Sequence, residues 1–299
     1  MTGKTPPPFA LSAPTGRFAP SPTGPLHYGS LLAAVASYLN VRAHSGTWLV
    51  RIEDLDPPRE VPGAASDILH TLESFGLHWD QDVVYQSNRL SLYDEALAEL
   101  QQKDLLYPCS CSRKDILMRG EHIYTGHCRK GNYVGQKNHA IRIKVPERTL
   151  SWQDLVQGPQ SGNLFNDNGD FVLRRADGLH AYHLAVVVDD ASQRITESIR
   201  GADLLPLTSA QMYLQYALGM QAPEYGHIPV AVNAKGEKLS KQAGAAPVSI
   251  GDPARTLFKA LRDLGQSPPD ELESSTVGDI LEWGKKHWAL NKVPRRRIL

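Results

Sequence analysis

Two stretches of this 299-residue chain carry the residue types that phosphate chemistry needs. The first is Arg17-Phe18-Ala19-Pro20-Ser21-Pro22-Thr23-Gly24, followed by His27-Tyr28-Gly29-Ser30. Its prolines and Gly24 impose a tight strand-to-helix turn, and Gly29 lets backbone approach a bound group closely. The helix start beyond it offers unpaired N–H groups and a positive dipole end, a natural cradle for phosphate, and His27 adds a donor to the same anion. The second is Lys238-Leu239-Ser240-Lys241-Gln242, just past the turn Asn233-Ala234-Lys235-Gly236. Two lysines three apart, on flexible stems, suit a loop that covers a polyphosphate and meets charge developing on a departing pyrophosphate. Taken singly, each stretch reads more simply as an ordinary turn.

A third cluster is Cys109-Ser110-Cys111 with Cys128, the only cysteines of the chain. Three thiols cannot close a disulfide framework, and at this spacing they make a zinc knot that lacks one ligand. The spacing leaves His122, Tyr124, His127 and His139 as candidates. Histidine is the commoner ligand type, but His127 adjoins Cys128 and would crowd a tetrahedron. Four protein ligands leave no open position, so such a site would be structural.

These residues need elements to position them. Gly16–Ala19 reads as a short strand, Ser30–His44 as a helix ended by Ser45-Gly46, and Thr47–Ile52 as a second strand. Strand, helix and strand in so short a span predict a right-handed parallel βαβ unit. Ligands of such sheets sit beyond the carboxyl ends of the strands, where Arg17–Gly29 and Glu53-Asp54-Leu55-Asp56 fall. Helices over Ala64–Phe75 and Arg89–Lys103 complete a first half spanning 15–104. Residues 105–180, rich in Gly, Cys and polar turns, read as an insertion carrying the zinc site. A second α/β half over 181–245 resumes with Tyr182–Asp190 and Ile195–Arg200. It continues with a helix near Ser209–Leu218, the strand His227–Val232 and the lysine loop. Residues 246–299 read as helical and end in Arg295-Arg296-Arg297, an exposed basic tail in the simplest reading. The proline-rich leader 1–14 has nothing to bury and is expected to be disordered. Asp54, Asp56 and the pair Asp189-Asp190 read as ordinary termini of strand, turn or helix, not as metal or ribose ligands.

Composition narrows the class. Basic and acidic side chains balance at 32 each, and 41% of residues are hydrophobic. A length near 300 suggests roughly two domains at about 150 residues each. No apolar run approaches a membrane span, and the broken N-terminus lacks a secretory signal, so a soluble cytoplasmic protein is expected. Zero net charge argues against general nucleic-acid binding, which needs a basic surface, and leaves room for a local basic face. No coiled-coil pattern asks for a dimer, and a monomer is expected.

In this order the motifs resemble the paired signatures of class I aminoacyl-tRNA synthetases. Gly16–Gly29, Arg51-Ile52-Glu53-Asp54-Leu55-Asp56-Pro57, Tyr182-His183-Leu184-Ala185-Val186-Val187-Val188-Asp189-Asp190 and Lys238–Gln242 are similar to the catalytic domain of glutamyl-tRNA synthetases, over roughly residues 16–250. The resemblance implies an α/β, Rossmann-like catalytic domain with a parallel sheet, a zinc-bearing insertion and a short helical C-terminal region. It implies glutamate binding by Arg17, Phe18, Ala19, Pro20, Ser21, Glu53, Tyr182 and Arg200. The charges suit that substrate: arginine forks for carboxylates, Glu53 for the ammonium, and hydroxyls from Ser21 and Tyr182. It implies ATP binding by His27, Gly29 and Lys241, with Mg²⁺, and catalytic roles for His27, Lys238 and Lys241. The pattern Cys-x-Cys…Tyr-x-x-x-Cys resembles the zinc site of short family members, which makes Tyr124 the fourth ligand beside Cys109, Cys111 and Cys128. The sequence departs from the family at Ser30, where other class I enzymes carry a second histidine, and at Gln242, which replaces a serine.

Length then selects a branch. Glutamyl-tRNA synthetases continue past the lysine loop with large helical domains that read the anticodon, whereas this sequence runs only from Gln242 to Leu299. It therefore resembles the short glutamyl-queuosine tRNA(Asp) synthetase branch. That resemblance implies glutamate activation without tRNA, then transfer to queuosine in the anticodon of tRNA(Asp). Rival expectations are a truncated glutamyl-tRNA synthetase charging a tRNA 3′ end, another class I-like nucleotidyltransferase, and a non-catalytic RNA-binding zinc protein.

Overall fold

The computed structural model describes residues 13–131, 138–232 and 246–299. The leader through Ser12 and the stretch Lys238–Gln242 lie outside the described residues. Strands β1 (Thr15–Phe18), β2 (Thr47–Ile52), β3 (Val84–Tyr85), β9 (Glu197–Gly201) and β10 (Glu224–Ile228) form one sheet in the order β10-β9-β1-β2-β3. Every pairing in it is parallel. Five consecutive residues of β2 are buried, as expected of a strand covered on both faces.

Helix α1 (Tyr28–Arg42) connects β1 to β2 and is buried from Leu31 to Leu39, apart from Ala33. It lies between the sheet and two C-terminal helices, α7 (Pro253–Asp263) and α8 (Val277–His287), so apolar residues face outward all round. Helix α2 (Ala64–Ser74) adds Ile68 and Leu72 to the same core.

Between β3 and β9 the chain leaves the sheet. Helix α3 (Leu90–Gln102) leads into β4 (Leu106–Cys109), α4 (Arg113–Met118), β5 (Ala140–Ile143), the hairpin β6 (Thr149–Asp154) and β7 (Gly158–Asn163), and β8 (Val172–Arg174). Strands β4, β5 and β8 form a small antiparallel sheet. The run Tyr182–Asp190 is helical, within α5 (Tyr182–Ser192). An unbroken apolar run does not distinguish a buried helix from a buried strand, and packing decides here. Leu184–Val188 enter a second core with Tyr93, Leu97 and Leu100 of α3 and Tyr213 and Leu214 of α6 (Thr208–Ala217).

The strand expected over His227–Val232 starts earlier and ends at Ile228, where Pro229 interrupts the N–H ladder. The hairpin packs on this strand. Leu155 N–H donates to the Tyr225 carbonyl at 2.8 Å, and a Cβ on Gly226 would lie 3.4 Å from Leu155 and 2.6 Å from Ile199. The Arg295–Arg297 segment exposes its side chains but engages its backbone: Val230 N–H donates to the Arg297 carbonyl at 3.0 Å, and Leu299 N–H returns to Val230 at 3.0 Å.

Candidate active site

The order of the sheet locates the site. The chain leaves β1 toward β2 on one side, while β9 and β10 lie on the other, so the strand order reverses between β1 and β9. A crevice opens at the carboxyl ends of strands at such a point. Here it is a cavity of about 380 Å³. Arg17 and Phe18 come from the end of β1, Glu53 follows β2, Arg200 is the penultimate residue of β9, and Tyr182 opens α5. Ala19, Pro20, Ser21, His27 and Gly29 also line it. The structure thus brings together every residue that the resemblance implies for glutamate, and two of the three for ATP. Asp203, Leu204 and Pro229–Ala231 line it as well. No local motif marked these; they arrive because β9 and β10 end beside β1.

The two arginines are held differently. Arg17 is buried and its Nε lies 3.2 Å from Asp190. Asp190 also pairs with Arg51 at 2.8 Å, and Arg51 reaches Glu53 at 3.4 Å. Burial pushes the Asp190 carboxyl up, but Arg17 and Arg51 reverse this and hold it below the usual carboxylate range. Asp189 accepts from Arg89 at 2.6 Å, Gln86 at 2.8 Å and Tyr93 at 2.9 Å. Asp189 and Asp190 do sit in the last turn of a helix, but the reading of them as ordinary termini needs correction. They are fully buried anchors of an ion-pair network behind the cavity. Asp54 pairs with Ser87, and Asp56 pairs with its neighbour Arg59 and with the distant Arg175.

Arg200 is 4% exposed, and its described partners are neutral. Its Nε–H donates to His227 Nε2 at 2.9 Å, and its terminal nitrogens donate to Gln211 at 2.7 Å and Thr208 at 3.1 Å. Its guanidinium lies 4.8 Å from the Tyr225 ring centroid. A buried cation with neutral partners strongly favours an incoming anion. Glu53 lines the same cavity. Burial raises its carboxyl to about 7, against the opposing pull of Arg51 and Arg17.

The phosphate end is built at the start of α1. His27 is the N-cap, its Nδ1 accepting from Ser30 N–H at 3.2 Å and its Nε2 lying 3.0 Å from Ser30 Oγ. A Cβ on Gly29 would lie 3.3 Å from the His27 ring and 3.7 Å from Ala231, so glycine keeps this corner open. Lys238 and Lys241 lie outside the described residues. The flanks of their segment reach this rim: Ala231 lines the cavity, and Pro247 bridges to His27.

The cysteines converge away from the cavity. The sulfurs of Cys109, Cys111 and Cys128 lie within 4.8 Å of one another. Thiolates on a tetrahedral zinc, each about 2.3 Å from it, require comparable separations, so the donor set fits the ion. The Tyr124 hydroxyl lies 3.3 Å from Cys109 Sγ and 3.8 Å from Cys111 Sγ, and accepts the Cys128 N–H at 2.8 Å. No histidine nitrogen joins the cluster among the described residues. Burial raises the Cys128 thiol, but hydrogen bonds from Tyr124 and the Ser110 amide reverse this and bring it to about 7.

A parallel sheet split by an insertion, with an arginine-lined cavity and a capped helix start at its switch point, defines a class I tRNA synthetase catalytic domain. The family model for tRNA synthetases class I (E and Q), catalytic domain, matches residues 15–283. Glutamyl-Q tRNA(Asp) synthetase of Dechloromonas aromatica is 51% identical over 95% of this chain and 97% of its own length. The protein of that name from Pseudomonas paraeruginosa is 49% identical over 96% and 98%. The chain belongs to the glutamyl-Q tRNA(Asp) synthetase family. Among solved structures, a glutamate tRNA ligase of Elizabethkingia meningosepticum in complex with its amino acid superposes with a TM-score of 0.80 at 28% identity. The match covers 95% of this chain and 66% of that one.

Proposed function

We propose that this protein activates L-glutamate with ATP and Mg²⁺ and transfers the glutamyl group to queuosine in the anticodon of tRNA(Asp). The observation that carries the glutamate reading is Arg200, a buried cation with neutral partners across one cavity from Arg17 and Glu53. Glutamate brings two carboxylates and an ammonium, the complement of those groups. Arg200 takes the side-chain carboxylate with help from Arg17, Glu53 takes the ammonium, and Ser21 and Tyr182 supply hydroxyls. Phe18, Ala19 and Pro20 form the wall.

The α-carboxylate oxygen attacks the α-phosphorus of ATP, forming the acyl-phosphate bond as the bond to pyrophosphate breaks. His27, Gly29 and the start of α1 hold phosphate. Lys238 and Lys241 meet the charge on departing pyrophosphate. A hydroxyl of the acceptor nucleoside then attacks the acyl carbon, loses its proton and releases AMP. Positioning and electrostatics supply the rate, with no covalent enzyme intermediate. Zinc held by Cys109, Cys111, Cys128 and Tyr124 is structural, bracing the insertion. The names of the relatives support queuosine as acceptor.

The test is glutamate-dependent ATP–pyrophosphate exchange without tRNA, then labelled glutamate with bulk tRNA and nuclease mapping of the labelled nucleotide. Exchange with glutamate and label on queuosine are expected. Label on the 3′-terminal adenosine would instead make the protein a glutamyl-tRNA synthetase. Arg200→Ala should raise the glutamate KM at least tenfold, and Lys241→Ala should lower kcat of exchange by a similar factor. Unchanged values would remove those assignments.

A further inference from the structure

Behind Arg200 lies a buried chain of groups that no motif predicts. Asp154, at the end of β6, is 1% exposed. Its Oδ1 accepts the backbone N–H groups of Val156 at 3.0 Å, Gln157 at 2.8 Å and His227 at 3.1 Å. Its Oδ2 lies 2.5 Å from Nδ1 of His227, which is wholly buried on β10. The far nitrogen of that ring receives the Arg200 Nε–H at 2.9 Å. An arginine Nε keeps its proton, so Nε2 of His227 must accept, and the imidazole proton must sit on Nδ1, facing Asp154. The tautomer is fixed from both ends. Burial outweighs the Asp154 hydrogen bond and pulls His227 down to about 4, which leaves the ring neutral at physiological pH.

We propose that Asp154 and His227 are positioning residues for recognition of the substrate side-chain carboxylate. They fix the Nε edge of Arg200 so that its two unused N–H donors face the cavity. The proposal rests on the reading of Arg200 as the glutamate anchor. The arrangement contrasts with Arg17, which a carboxylate touches directly. An imidazole between Asp154 and Arg200 passes on orientation while keeping that carboxylate one ring away, so Asp154 does not neutralise the guanidinium directly. Because Asp154 belongs to the insertion hairpin, substrate selection also depends on how that hairpin packs on β10.

Asp154→Asn makes a sharp test. Its carboxamide oxygen keeps the three backbone N–H bonds, which turns the NH₂ toward Nδ1. The imidazole proton then moves to Nε2 and meets the Arg200 Nε–H, donor against donor. The glutamate KM of exchange should rise at least tenfold, with the ATP KM unchanged and kcat at saturating glutamate within a fewfold of wild type. His227→Gln, whose carboxamide oxygen can accept from Arg200, should keep a lower glutamate KM than His227→Leu. In ¹⁵N spectra the wild-type His227 should carry its proton on Nδ1 down to pH 5, a measurement that needs no variant. A proton on Nε2 in wild type overturns the proposal, as does a glutamate KM within twofold of wild type in folded Asp154→Asn. A wild-type protein with no glutamate-dependent exchange would instead sink the functional reading, and the ¹⁵N result would still judge the tautomer by itself.

Discussion

Glu53 sits where a carboxylate is costly unless a cation arrives. Burial raises its pKa to about 7, so near neutral pH the unliganded protein carries it partly protonated. A bound ammonium should return it to the ionised form. Glutamate affinity should therefore fall about tenfold per pH unit below 7, as a proton competes with the substrate. The same shift has a sign for stability. A carboxyl whose folded pKa is raised stabilises the fold fully below its unfolded pKa and loses that contribution as pH rises through about 7. Asp190 and Asp154 act oppositely, because their depressed values give stability at neutral pH that is lost as pH falls. Glutamate relieves the cost of ionising Glu53, so its thermal upshift should grow between pH 6 and 8. Glu53→Gln should abolish that growth, as differential scanning fluorimetry with and without glutamate would show.

The insertion is an element with two supports. One is a polar hub: Asp170 is fully buried and accepts from Tyr107 at 2.6 Å, from Val145 N–H at 2.8 Å and from Arg129. Arg142 stacks over the Tyr124 ring, 4.0 Å from its centroid, and donates to the Asp170 carbonyl at 2.6 Å. The other is the thiol cluster, whose own core is Tyr107, Cys109, Tyr124 and Cys128. So few side chains cannot offset the chain entropy of ordering the knuckle, which is why a metal is expected there. Removing zinc with a chelator, or making Cys128→Ser, should expose the region around 110–131 to protease. Zinc content by mass spectrometry should fall in step. Glutamate-dependent exchange should survive within a fewfold, since the cavity residues stand on the parallel sheet. Loss of exchange in parallel with zinc would mean that the knuckle supports the cavity directly.

Across the whole molecule, distant parts of the chain meet at the cavity rim. The segment before the lysine loop is held by the C-terminal backbone, through Val230 with Arg297 and Leu299 at 3.0 Å each. Gln157 of the insertion donates to the carbonyls of both His227, at 2.7 Å, and Arg296, at 3.2 Å. Deleting residues 296–299 should loosen Pro229–Ala231, lower the melting temperature by several degrees and reduce kcat of exchange by about three- to tenfold. An unchanged kcat would confine the tail to stability. With 32 basic and 32 acidic side chains the protein has no net charge to hold tRNA at long range, so tRNA binding should rest on a local basic face and weaken with salt in proportion to the phosphates that face neutralises. No helix among the described residues is long and apolar enough to cross a membrane.

The sequence alone determined the local chemistry. Pro20, Pro22, Gly24 and Gly29 fix a strand-to-helix turn, the βαβ periodicity fixes a parallel pair, and Cys109, Cys111 and Cys128 fall at ligand spacing. Such signals are readable because they act over a few residues of backbone geometry. What only the tertiary structure decided is long-range pairing. Asp189 and Asp190 look like the end of a helix until Arg17, Arg51 and Arg89 arrive from three other elements. His227 looks like one polar residue in an apolar strand until the hairpin lays Asp154 against it. The reason is physical. A buried charge or imidazole is defined by what shares its low-dielectric surroundings, and those partners lie some 27 to 173 residues apart along the chain.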